Sequence, residues 1–179
     1  MTNEADRAVL SRPLRVDEIS DGASREIAAT KAETDAIARL LDLVALEGLI
    51  FIYRLNHGGG GRLHLSGRLH ANVTQTCVVT LDPVAARLDV PAEVEFWPAS
   101  LIEELERSAE EAGSLLDWPE AVVDWRIDLG PVIYETLATA LEPYPKREGV
   151  SFDWSQGAAE EAESAKSGPF AALAALKRR

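Results

Sequence analysis

Cys77, in the run QTCVVTLDPV (75–84), is the single cysteine of the chain and the first side chain whose chemistry has to be weighed. A nucleophilic thiol needs a base and an electropositive setting that favours the thiolate. Its neighbours Gln75, Thr76, Val78 and Val79 supply neither. The run favours a strand in which Cys77 and Val78 alternate between faces, so Cys77 reads as a small buried hydrophobe. Of the histidines, His64 and His70 lie six apart on one expected strand and share a face if no bulge intervenes, with His57 in the loop before them. Zinc takes three or four ligands, commonly with cysteine in structural sites. Two strand histidines read instead as solvent-facing or cross-strand residues, and no metal is expected. The glycine run at 58–61 lies between two expected strands and lacks the Gly-Lys-Ser/Thr and following helix of a phosphate loop, so it reads as a hairpin loop. Glu103 and Glu104 sit in a charge run with no apolar pocket to split their pKa values. Trp97, Trp118, Trp125 and Trp154 fall around loops and form no basic stacking surface. These residues imply no catalytic group, no cofactor and no enzyme.

The elements that would carry these residues follow from periodicity. At 179 residues and 46% hydrophobic, the chain is long enough for one domain with a real core. RPLRVDEI (12–19) reads as a short strand with Leu14 and Val16 on one face, and REIAATKAE (25–33) as its partner across a turn at Asp21 and Gly22. TDAIARLLDLVALEG (34–48) reads as a helix capped by Thr34 and closed by Gly48, with Ile37, Leu40, Leu41 and Val44 at helical spacing. LIFIYRL (49–55), RLHLSGRLHANV (62–73) with a bulge at Gly67, QTCVVTL (75–81) and VAARLDVPAEVEFWP (84–98) read as four strands with short connections, hence an antiparallel sheet. IDLGPVIYETLATALEPYP (127–145) reads as a covering helix with Asp128 as cap, Pro131 in the first turn, and Leu129, Ile133, Leu137 and Leu141 recurring every four; it must end before Pro143.

The expected class is therefore α+β: an antiparallel sheet of about 4–6 strands covered by one or two helices, in a single domain over 1–150. Residues 99–124 carry acid after acid with Arg107 as the one base, and read as a solvated, flexible acidic insertion, helical in part. Residues 151–166 read as a linker. Residues 167–179 read as a short docking helix starting around Pro169, with Phe170, Leu173 and Leu176 on one face and Lys177, Arg178 and Arg179 as a basic end.

Charge narrows the partners. A net charge of −12 and a pI near 4.7 set the body against phosphate, because RNA binding rests on Lys and Arg displacing counterions. RNA contact would need a local basic patch, and otherwise a basic protein is the fitting partner. No stretch is apolar for the ~20 residues of a membrane span. The N-terminus lacks a basic start followed by an apolar block, so no secretory signal is expected. One thiol closes no internal disulfide, which fits a reducing compartment with the cytoplasm as default.

Three stretches in order, ANVTQTCVVTLDPV (71–84), RIDLGPVIYETLATALEPYP (126–145) and GPFAALAALKRR (168–179), resemble the YceD-like large ribosomal RNA subunit accumulation proteins of bacteria and chloroplasts. In that family's pattern the first stretch carries Cys-x-x-Cys; here Cys77 is followed by Thr80, Leu81, Asp82 and Pro83, so a paired-thiol metal site is not available. The second stretch matches through Asp128, Leu129, Glu135, Leu137, Ala138 and Leu141, and the third through Pro169, Phe170, Leu173, Leu176 and Lys177, with Gly168 where relatives often carry Asn. The resemblance implies a non-enzymatic factor supporting large-subunit (23S) rRNA accumulation and large-subunit assembly in the cytoplasm. Its expected partners are a ribosomal protein, an assembly factor or the pre-ribosomal large subunit, with rRNA touched directly or indirectly and Lys177, Arg178 and Arg179 as the candidate RNA contacts. The alternative is an acidic adaptor whose client has nothing to do with the ribosome. A hydrolase would need a nucleophile–base pair, and none is evident.

Overall fold

In the computed structural model of the chain the described residues are 9–18, 20–112 and 118–151, with the side chains of 108–112 excepted. They form β1 (Pro13–Arg15), β2 (Ser24–Ala28), α1 (Lys31–Leu40), β3 (Ala45–His57), β4 (Leu63–Thr76), β5 (Pro83–Pro98), α2 (Ala99–Ala112), β6 (Glu120–Val122), β7 (Arg126–Asp128) and α3 (Leu129–Ala140). A five-stranded sheet runs in the order β2-β3-β4-β5-β6, and β1 pairs with β7 in a second, two-stranded sheet. The class is α+β as expected. The main sheet is mixed, because β6 joins β5 in parallel.

Period two explains the central strands. Leu63, Leu65, Leu69, Ala71 and Val73 of β4 and Phe51, Tyr53 and Leu55 of β3 point inward, as a two-residue repeat requires. The alternation runs unbroken through Gly67, where the bulge was expected. Gly67 is needed for another reason: a Cβ there would lie 2.6 Å from the buried Phe51 ring. The Phe51 ring itself stacks on Tyr53 with centroids 5.7 Å apart. The ladder slips instead between Glu47 and Ile50, at Gly48, whose φ of +61° suits glycine.

The first helix differs from the expected one at both ends. Gly48 belongs to β3, and α1 is capped by Thr30 and not Thr34. Thr30 and Glu33 form a reciprocal capping box, while the Thr34 hydroxyl turns back onto the Lys31 carbonyl at 3.0 Å. The helix stops at Leu40, where Asp42 takes the left-handed position (φ +52°) and the Leu43 N–H reaches the Ala38 carbonyl. Ile37 and Ala38 bury its inner side.

Two further expectations are overturned. β1 pairs with β7 and not with β2, and Val16 leaves the strand in a single 3-10 turn, buried, its N–H bonded to the Trp125 carbonyl. QTCVVTL is not a strand. β4 ends at Thr76, and residues 77–82 form a closed turn in which Cys77 N–H donates to Asp82 O and Leu81 N–H to Cys77 O. The acidic stretch 99–124 contains α2, as foreseen in part, but its end supplies β6 to the sheet edge.

α3 follows its expected course. Asp128 caps it by accepting from Gly130 N–H at 2.9 Å, it ends at Ala140 ahead of Pro143, and Leu129, Ile133 and Leu137 are buried against the sheet. Residues 9–12 cross its start: the Arg12 N–H and Ser11 hydroxyl donate to Asp128, and a Cβ on Gly130 would meet the Leu10 carbonyl at 1.8 Å. α1, α3 and this segment cover one face of the sheet; the outer face carries His64, Ser66, Arg68, His70 and Asn72.

Candidate interaction surface

The first and second resemblance stretches meet in space. The turn at 77–82 packs against the chain leaving α3: Val78 N–H donates to Pro145 O, Gln75 Nε2 to Glu142 O, and Arg147 pairs with Asp82 at 3.1 Å. Cys77 is 0% exposed beneath this junction. Its sulfur accepts from Thr80 N–H at 3.5 Å and from Arg147 N–H at 3.4 Å. Hydrogen bonding from the Thr80 side chain first, then from the Arg147, Thr80 and Val79 backbone, lowers the thiol to about 6, against the opposing effect of burial. One of these donors, the Arg147 N–H, arrives from 70 residues away, and the others from the turn itself. Burial keeps Cys77 from any substrate in solution, and no histidine is among its hydrogen-bond partners.

Around Cys77 the surface is apolar. Leu81 is 76% exposed and held at φ +61°, with Val78 and Tyr144 also exposed. Pro83 opens β5. On α3, Asp128 is tied to Ser11 and Arg12, Leu129 and Leu137 are core residues, Leu141 packs on the core's margin, and Glu135 alone of the motif side chains faces solvent. Pro169, Phe170, Leu173, Leu176, Lys177, Arg178 and Arg179 lie outside the described residues, as does most of the 151–166 linker.

The histidines do share the outer face, each matched across to an acid on β5. His64 Nδ1 lies 2.7 Å from Glu95, and His70 Nδ1, without a hydrogen bond, lies 3.6 Å from Asp89. Asp89 also holds Arg68, whose hydrogen bond leads in keeping its carboxyl below the usual range. His57 is bound to Asp21 at the hairpin end. Cross-strand neighbours thus face His64 and His70, while His57 meets an acid of the turn before β2. Trp97 lies in β5, not in a loop, and the Arg62 guanidinium stacks on it at 4.0 Å.

A second region was not visible in the sequence. β6 and β7 are joined by a two-residue turn in which Val123 and Arg126 exchange backbone hydrogen bonds. Both central residues, Asp124 (φ +50°) and Trp125 (φ +60°), are left-handed, as a type I′ turn demands. Asn-Gly would signal such a turn; Asp-Trp does not. Beside it lies a groove of about 470 Å³, bounded by the hairpin and α3, with Phe96, Ile127 and Val132 in its floor and Glu120, Asp124 and Glu135 on its rim. A cleft of about 400 Å³ flanks the hairpin's other side, lined by Val16, Trp125 and Asp124. Among the described residues no helix is long and apolar enough to cross a membrane.

No curated protein and no solved structure matches the chain. A sequence model of one family does match, over residues 65–177, from within β4 to the basic C-terminal end. That span holds the Cys77 turn and α3, which the structure joins, and it covers more than half of the residues. The chain belongs to the YceD family of large ribosomal RNA subunit accumulation proteins.

Proposed function

We propose that this protein supports large-subunit (23S) rRNA accumulation as a non-enzymatic assembly factor in the cytoplasm, its acidic body engaging a basic ribosomal protein or assembly factor. The observation that carries this reading is the family match over residues 65–177. The net charge of −12 supports a protein partner for the body, since phosphate is repelled by it. The tail residues Lys177, Arg178 and Arg179 are the groups that would meet RNA phosphate, in salt-sensitive contacts with a slope of about −0.7 to −0.9 per phosphate neutralised.

Depletion of the protein, with the ratio of large- to small-subunit rRNA and the ribosome profile as readouts, tests the role. A selective fall in large-subunit rRNA is expected. An unchanged ratio would overturn it in favour of an adaptor with an unrelated client. Removal of residues 168–179 tests the tail: rescue as complete as with the full chain would exclude it from the contact.

A further inference from the structure

We propose that the groove between the β6–β7 hairpin and α3 docks an Arg/Lys-rich protein segment. This rests on the ribosomal role proposed above and adds to it the place of contact and the chemistry of the partner.

Three observations converge on the groove. Its floor of Phe96, Ile127 and Val132 is buried apolar surface suited to aliphatic side chains or to the stems of Arg and Lys. On the rim, Glu120, Asp124 and Glu135 are exposed carboxylates with no ion-pair partner among the described residues, while Asp128 is turned away onto Ser11 and Arg12. Arg126 is the one cation lining the groove, so the rim is left with an excess of negative charge. Unpaired carboxylates over an apolar floor are a setting for a guanidinium or ammonium, whose charge meets the rim while its stem lies on the floor.

RNA is the wrong occupant on these grounds. Its phosphates would face the carboxylates, with Arg126 alone to offset them. A basic protein segment laid along the groove meets carboxylates at its charged positions and the apolar floor between them.

The test uses the full chain and a fluorescein-labelled nonapeptide, Arg-Leu-Arg repeated three times, read by fluorescence anisotropy at moderate salt. Glu120→Gln with Glu135→Gln removes two rim charges of the groove. Glu103→Gln with Glu104→Gln removes the same charge from exposed positions on α2. The groove pair should weaken binding about tenfold, and the α2 pair by less than twofold. Equal losses in both charge pairs would show general acidity and overturn the proposal, as would no loss in the groove pair. An RNA dodecamer that binds more tightly than the peptide and displaces it from the full chain would assign the groove to nucleic acid and overturn it too. The two proposals fail separately: an unchanged rRNA ratio on depletion refutes the ribosomal role with the peptide affinity intact, and unaffected groove variants refute the groove with the rRNA result intact.

Discussion

Replacing Gly130 by alanine should destabilise the protein, against the usual direction for a helical glycine. Helix propensity alone favours alanine by up to about 1 kcal/mol. The added Cβ, however, would lie 1.8 Å from the Leu10 carbonyl oxygen and 2.6 Å from its carbon, where only backbone can yield. The obstructing atoms belong to the segment whose Leu10 is 2% exposed in the core and whose Arg12 N–H bonds to Asp128 at 2.6 Å. Displacing it exposes a leucine, worth about 1.5–3 kcal/mol, and loses a hydrogen bond worth about 1 kcal/mol. Set against the propensity gain, the expected cost is about 1.5–3 kcal/mol. Urea unfolding followed by circular dichroism measures it, and Leu10→Ala in the same background isolates the cause. If the segment has left α3, Leu10→Ala should cost at least about 1 kcal/mol less in Gly130→Ala than in the wild type. A Gly130→Ala protein as stable as the wild type, or additive costs in the double variant, would refute the packing argument.

Other outcomes follow from the same structure. Glu33 is held at about 2, led by its hydrogen bond from Arg12, which it meets through two contacts of 2.8 Å. Because the folded-state value is depressed, this stabilisation is complete above the ordinary value near 4.5 and is lost as pH falls towards 2. Glu33→Gln should flatten the acid limb of stability over that window and cost about 1–2 kcal/mol at neutral pH, after allowance for the pair's partial exposure. Thr30→Ala should cost about 1 kcal/mol in urea unfolding through loss of the cap, whereas Thr34→Ala leaves that cap in place. Trp125→Gly should raise stability by about 0.5–1 kcal/mol in urea unfolding by relieving a left-handed tryptophan.

Legibility followed locality. α3 was readable because its cap, its four-residue apolar repeat and its stop at Pro143 lie within one short stretch. β3 from Leu49 onward and β4 up to Val73 are readable because a solvated outer face imposes alternation, while residues 45–48 of β3 carry the helical spacing of the preceding stretch. The β1–β7 pair was not, since it joins residues more than a hundred apart through three residues on each side. β6 was hidden because an acidic run reads as solvated whatever its backbone pairs with. Thr34 is the wrong cap although the sequence offers the better one: Thr30 has Glu33 at the capping-box spacing, while Thr34 has Ile37 there. For the candidate surface, residue type identified Cys77 as a core residue. Its hydrogen-bond donors came from the distant Arg147 backbone and from Thr80 in a turn that had been read as strand. The groove depends on Asp124 and Trp125 adopting a turn that their side chains do not advertise.

The central claim is a role in large-subunit rRNA accumulation, and its most direct test is the ratio of large- to small-subunit rRNA through a cycle of depletion and re-expression. The account predicts a selective fall in large-subunit rRNA on depletion and full recovery when the intact chain returns. A ratio that stays constant through both phases would contradict it.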